Sequence, residues 1–252
     1  LNQCFVTMSS GIITCLLIAS MVFVMSQKCQ KIIAPGYWYP GSQWNKTVAE
    51  SGVANTLVMN PNSGPGTTKD SVYAAYVKYA QSNGVAVIGY VHTSYGQRAS
   101  ATVLNEVDIY YEWYDVDGIF FDEVSNLASE LTYYKTIYDH VKSKTGQRTV
   151  VINPGTIPDA GYANVSDVAC IFESSCAQYQ NYVPQTWTLN EDSKKLYHIV
   201  YDCTQEELTN VLTLSKKYNI GNVYITQLTL PNPYSSLPSY WTTEANLIKS
   251  EC

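Results

Sequence analysis

Charge is scarce in this chain. Of 252 residues, 15 are Lys or Arg and 21 are Asp or Glu, 14% in all, against about 25% in a typical soluble domain. A net charge of −6 leaves no basic face to neutralise phosphates, so no nucleic-acid partner is expected. Histidine is scarcer still, with three residues; no H-x-H, H-E-x-x-H or C-x-x-C spacing occurs. No metal and no cofactor is therefore expected. The absence of G-x-S-x-G removes the usual α/β-hydrolase nucleophile elbow. The absence of a P-loop, and of G-x-G-x-x-G after a first strand, removes the nucleotide-binding form of an open sheet. No Pro/Gly/Ser linker or low-complexity tract divides the chain, so one domain is expected.

What is present begins with an uncharged stretch, residues 1–27, built on the apolar run Gly11 to Met25. This reads as a secretory signal over residues 1–26, with Val24 and Ser26 at the −3 and −1 positions of the cleavage site, or as an uncleaved N-terminal anchor. Either reading places the remaining domain, residues 27–252, in an oxidising, extracellular setting. Of seven Cys, Cys4 and Cys15 belong to the signal. Cys29 and Cys252 flank the domain and could tie its ends together, while Cys176 and Cys203 each follow a strand-like run and could bridge neighbouring loops. Cys170 would then stay buried and unpaired; the alternative is that none pairs. Two sequons, at Asn45 and Asn164, are glycosylation acceptors in a secreted chain.

After Lys31, short apolar runs alternate with amphipathic stretches, the pattern of βα units around a parallel sheet. The runs are 32–34, 56–59, 85–91, 118–121, 149–152, 168–172, 196–201 and 222–226. Between them, Val72, Ala75, Tyr76, Tyr79 and Ala80 make one helical face; Leu131, Tyr134, Tyr138 and Val141 make another. Thr204 and Glu207 form a capping box ahead of Leu208, Val211 and Leu212. Gly84, Gly146 and Gly221 each precede a strand, where a left-handed residue would stop the helix. About eight such units in one chain favour a closed (β/α)8 barrel of TIM type over an open doubly wound sheet.

In such a barrel the site lies at the C-terminal ends of the strands. The polar and aromatic residues closing the runs are Tyr37 and Tyr39, Asn60, His92, Asp122 with Glu123, Asn153, Glu173, Asp202 and Gln227. Neighbouring strand residues face opposite sides, so Asp122 and Glu123 share a face only if the strand ends between them. Glu173 closes an otherwise apolar run, a costly place for a carboxylate that is neither used nor paired. Two carboxylates across a sugar-sized gap suit glycosidic cleavage, and the 22 tyrosines suit stacking on sugar faces.

Six pieces in order carry a resemblance: Ala-Pro-Gly-Tyr-Trp-Tyr-Pro (34–40), Asn-Pro-Asn-Ser-Gly-Pro-Gly (60–66), Gly-Tyr-Val-His-Thr-Ser-Tyr-Gly (89–96), Asp-Gly-Ile-Phe-Phe-Asp-Glu (117–123), Asn-Pro-Gly (153–155) and Phe-Glu (172–173). Together they resemble the spherulin-4-like family, related to glycoside hydrolase family 135. The resemblance implies a (β/α)8 barrel that cuts α-1,4-linked galactosamine and N-acetylgalactosamine polysaccharides, with Asp122, Glu123 and Glu173 as its catalytic acids. It also implies an association of members with the walls of encysting or sporulating cells; the alternative expectation is a non-catalytic wall or matrix protein that binds glycan in the same cleft. The expectation is a secreted, monomeric glycosidase with a polysaccharide substrate. Asp122 would be nucleophile or charge stabiliser, Glu173 general acid/base, and Glu123 a supporting carboxylate. Tyr37, Tyr39, Asn60, His92, Asn153, Asp202 and Gln227 would hold the sugar.

Overall fold

The computed structural model describes residues 29–252. The signal or anchor, Cys4, Cys15, Val24 and Ser26 lie outside the described residues.

Each of the eight apolar runs forms a strand: β1 (Lys31–Gly36), β2 (Ala54–Met59), β3 (Ala86–His92), β4 (Gly118–Asp122), β5 (Thr149–Ile152), β6 (Val168–Ser175), β7 (Leu196–Tyr201) and β8 (Asn222–Ile225). They pair in parallel in chain order, and β8 returns to β1, so the sheet closes into a barrel and leaves no edge. Apolar residues alternate between the barrel interior and the helical layer, which is why the strands read as near-continuous hydrophobic runs.

The crossovers carry α1 (Ser42–Ala49), α2 (Ser71–Ser82), α3 (Ser100–Tyr114) and α4 (Leu131–Lys142), then α5 (Cys176–Tyr179), α6 (Thr186–Asn190), α7 (Leu208–Lys217) and α8 (Trp241–Ser250). The repeat is imperfect. The crossover from β5 to β6 contains only the 3-10 turn Ala160–Asn164, whereas α5 and α6 both follow β6.

Two local expectations are corrected. In α2 the buried face is Tyr73, Val77 and Ala80, while Val72 and Tyr79 are exposed. The spacing is helical as expected but rotated by one residue. Asp70 caps the helix by accepting the N–H of Val72 at 2.7 Å and of Tyr73 at 3.2 Å, and Tyr73 packs edge-on against Trp44 and Tyr114. The second correction concerns the helix stops. Gly84 (φ 82) and Gly146 (φ 83) are left-handed as expected, but before β8 that conformation falls on Asn219 (φ 66). Gly221 is needed for space instead, since a Cβ there would come within 2.5 Å of the Ser193 carbonyl oxygen. The capping box stands: the Thr204 N–H donates to Glu207 Oε2 at 2.8 Å, and Leu208, Val211 and Leu212 are buried.

Cysteine pairing is half as expected. Cys176 and Cys203 form a disulfide joining the segments that follow β6 and β7, and Cys170 is a buried thiol. Cys29 and Cys252 do not pair. Closure of the barrel brings the start of β1 and the end of α8 together, so the two free thiols are neighbours, and Cys252 Sγ donates to the Ile248 carbonyl at 3.4 Å.

The N-terminal end of the barrel is committed to structure. Asp117 and Asp167, each just before a strand, accept the N–H of Val87 at 2.7 Å and of Val150 at 2.8 Å. The opposite end carries the polar residues with spare valence.

Candidate active site

Strand alternation sets the first carboxylate. Phe120 and Asp122 are two apart on β4, and the Phe120 ring stacks on Tyr90 inside the barrel, so Asp122 enters the mouth on the same face. The strand ends there, and Glu123 turns away in a left-handed conformation (φ 51). The two acids therefore do not share a pocket. Glu123 is 43% exposed in its side chain and sits 3.6 Å from His92 Nδ1 at the rim.

The second carboxylate depends on a bulge. In the β6–β7 ladder Cys170 pairs with Tyr197 and Phe172 with His198, so Ile171 is an extra residue. Inserting one residue reverses the alternation. Phe172 then packs outward on Tyr179, Tyr182 and His198, and Glu173 turns into the barrel mouth toward Asp122.

Asn153, just past the end of β5, joins them. Its amide nitrogen donates to Asp122 Oδ1 at 2.9 Å and to Glu173 Oε2 at 2.6 Å. The amide orientation is fixed because its oxygen accepts the Gly155 N–H at 3.0 Å, and the Gly155 carbonyl in turn accepts the Glu173 N–H at 3.0 Å. Sharing one nitrogen at those distances keeps the two carboxylate oxygens within about 5.5 Å of each other. The second oxygen of each acid meets a phenol: Tyr90 donates to Asp122 Oδ2 at 2.8 Å, and Tyr234 donates to Glu173 Oε1. Tyr37 stands edge-on to both phenols, 5.4 Å from each ring.

Burial in this setting pushes both carboxyls above their ordinary range. For Asp122 the bonds from Tyr90 and Asn153 oppose that rise. For Glu173 burial is reinforced by the neighbouring charge of Asp122, against the bonds from Tyr234 and Asn153. Two raised acids this close favour one ionised and one protonated form. A cleft of about 550 Å³ opens beside them, lined by Tyr37, Asn60, Tyr90, Glu173, Leu230 and Tyr234.

The structure thus unites Asp122, Glu173, Asn153, Tyr37 and Asn60, the last of which also accepts the Gly64 N–H at 3.2 Å. Four other residues are placed elsewhere. His92 serves the rim, bonded to Ser94 and beside Glu123. The Tyr39 hydroxyl is committed to Asp70 at the start of α2, at 3.0 Å. The Gln227 side-chain oxygen accepts the Ser239 N–H at 3.2 Å, which ties down the loop after β8. Asp202 is exposed and left-handed (φ 56), and its N–H is held by the Leu228 carbonyl. None of these four lines the cleft. Asn45 and Asn164 are exposed on α1 and on the 3-10 turn. Sequence reasoning missed Tyr90 and Tyr234. The period of β3 could have found Tyr90, two residues before His92; nothing in the loop sequence 231–238 says where Tyr234 points.

This geometry can be set against known proteins. Residues 31–248 match the family described as spherulation-specific family 4. The chain belongs to this family. Spherulin-4 of Physarum polycephalum is 35% identical over 231 residues, covering 86% of this chain and 70% of the relative. Among solved structures, Aspergillus clavatus Sph3 in complex with GalNAc is 27% identical with a TM-score of 0.76, over 88% of this chain and 98% of that one. A family 18 chitinase from Pseudoalteromonas aurantia, 11% identical with a TM-score of 0.53 over 88% of this chain and 100% of that one, shares the fold. Spherulation-specific family 4 membership agrees with the closed barrel, and the barrel with that of glycosidases.

Proposed function

We propose that this spherulation-specific family 4 protein hydrolyses an amino-sugar polysaccharide, α-1,4-linked galactosamine or N-acetylgalactosamine, with Asp122 and Glu173 as the catalytic pair. The observation that carries this reading is the Asn153 bridge, which holds one oxygen of each of two half-buried carboxylates close together, with Glu173 lining an open cleft. The likeness to Sph3, a protein solved with GalNAc, supports the sugar class.

The short bridge bears on the mechanism. Retaining glycosidases place their carboxyls about 5–5.5 Å apart, inverting ones about 6.5–9.5 Å, to admit a water. The bridge fits the retaining case. Glu173, holding its proton, protonates the departing glycosidic oxygen while the Asp122 carboxylate attacks or stabilises the anomeric carbon. Glu173, now ionised, then takes a proton from the water that completes hydrolysis. Asn153 and Tyr90 keep Asp122 aimed through both oxygens, so its orientation does not have to be assembled during the reaction. Tyr37 offers an aromatic face at the cleft. Glu123, exposed at the rim, is a supporting carboxylate.

The reading includes secretion and an extracellular substrate. Its supports are the apolar N-terminal stretch and the Cys176–Cys203 disulfide, a bond that persists in oxidising compartments.

The test is reducing-end release by the purified protein from acetylated and deacetylated α-1,4-galactosaminan, chitin, chitosan and β-glucan. Release from the galactosamine polymers, falling by about 10²–10⁴-fold in Asp122→Asn and in Glu173→Gln, is expected. Binding without release from any polymer would instead make the protein a glycan-binding wall or matrix component.

A further inference from the structure

The cleft beside Glu173 is formed by loops following β1, β2 and β8. A second cavity of about 600 Å³ opens from the loops following β3, β4 and β5, on the other side of the Asp122–Asn153–Glu173 bridge. Its lining follows the site residues in the chain: Val124 and Ser125 come after Glu123, and Pro154 after Asn153. Its size is that of a small-molecule site. The catalytic assignment does not use it.

Three features show what it would hold. Tyr95 and Leu127 are large side chains left 59% and 60% exposed at its wall, an apolar face for which the fold provides no cover. Tyr95 is held there against its own backbone preference. Ser94 (φ 47) and Tyr95 (φ 57) are consecutive left-handed residues without being glycine. The Tyr95 N–H donates to the Glu123 carbonyl at 2.6 Å, and Thr93 Oγ1 donates to the same oxygen at 2.8 Å. Such strain persists where surrounding bonds over-determine it, and here they tie the Tyr95 backbone to the residue after Asp122. The third feature is Glu130. Its carboxylate lies over Gly96, where an added Cβ would come within 2.9 Å of Oε2. It accepts a bond from the adjacent Ser129 hydroxyl at 3.3 Å, and no Lys or Arg pairs with it among the described residues.

We propose that this cavity binds a further amino-sugar unit of the same polysaccharide chain, with the Tyr95 ring as its stacking face and Glu130 receiving its amino group. The inference rests on the glycosidase reading above and extends it: the chain would cross the barrel mouth from one cavity to the other, with cleavage between them. This cavity adds a preference for deacetylated units on the Tyr95 side. The C–H face of a sugar ring covers the exposed phenol, and a carboxylate without a cation is completed by an ammonium group.

The experiment compares kcat/KM on α-1,4-galactosamine oligomers of three and six units, and on the N-acetylated six-unit chain, for wild type, Tyr95→Ala, Tyr95→Phe and Glu130→Gln. Tyr79→Ala, an exposed aromatic on α2, is the control. Tyr95→Ala is expected to lower the six-unit value about tenfold through KM, with a much smaller change for three units, and Tyr95→Phe to restore it. Glu130→Gln is expected to reduce the preference for the deacetylated six-unit chain about fivefold. Losses that are equal at both lengths, or absent, in an active enzyme would overturn the subsite while leaving the catalytic pair intact. No cleavage and no binding of either oligomer by wild type would remove the glycosidase reading, and this one with it.

Discussion

Glu244 is the carboxylate the proposed chemistry does not use, and its position makes stability depend on pH. It lies on α8, fully buried against the seam of the barrel, where Oε1 accepts the Ile225 N–H at 3.2 Å and Oε2 has no partner. The titratable groups facing it are the phenols of Tyr197, Tyr224 and Tyr240, none of them a cation. Burial pushes its carboxyl up from about 4.5 to about 8. The folded state thus holds a proton that the unfolded chain releases near pH 4.5. Stability from this group is complete below that pH and is lost as pH rises toward about 8. Between pH 5.5 and 7.5 the loss amounts to about 2–3 kcal/mol, close to the limit of about 1.4 kcal/mol per pH unit for one proton. Glu244→Gln keeps the shape and removes the titration. Urea unfolding at pH 5.5, 6.5 and 7.5 should therefore show the variant gaining on wild type by about 2–3 kcal/mol across the range. Parallel pH profiles for the two proteins would refute the reasoning, because they would mean that Glu244 is ionised and compensated in the fold.

Three further outcomes follow from the same geometry. Tyr234 donates to the ionised form of Glu173, so Tyr234→Phe should raise that carboxyl further and move the alkaline limb of the pH–rate profile to higher pH; an unmoved or lowered limb would contradict the assignment of Glu173 as the acid. Asn153→Ala should lower kcat by about 10²-fold with the fold retained by circular dichroism, since both acids lose their shared anchor. Removing the Cys176–Cys203 disulfide, which spans 27 residues, should cost about 3–4 kcal/mol in urea unfolding if loop closure governs it; a cost near zero would mean that the two loops are held together by packing alone.

Much of the fold was legible because a closed parallel sheet writes itself as apolar runs separated by amphipathic stretches, and all eight runs became strands. Element ends and faces were less so. The face of α2 was set by the Asp70 cap and by Trp44, a contact 29 residues away in the chain that periodicity does not see. The crossover after β5 lacks a full helix, which average spacing concealed. At the site, Asp122, Glu173 and Asn153 stood out as polar residues closing apolar runs. The bulge that turns Glu173 inward was invisible, because it is defined by pairing with β7 rather than by residues 170–172 themselves. Tyr39, Asp202 and Gln227 met the same strand-end criterion and went to other work, each with a local backbone or side-chain partner. Position at a strand end selects candidates; the network around Asn153 separates the ones that converge.

The most direct test of the catalytic account is the anomeric configuration of the first product. Proton NMR during cleavage of an α-1,4-linked N-acetylgalactosamine oligomer should show the α-anomer forming first and the β-anomer growing only by mutarotation, as retention by the Asn153-bridged pair predicts. A β-anomer formed first would contradict the retaining assignment of the Asp122–Glu173 pair.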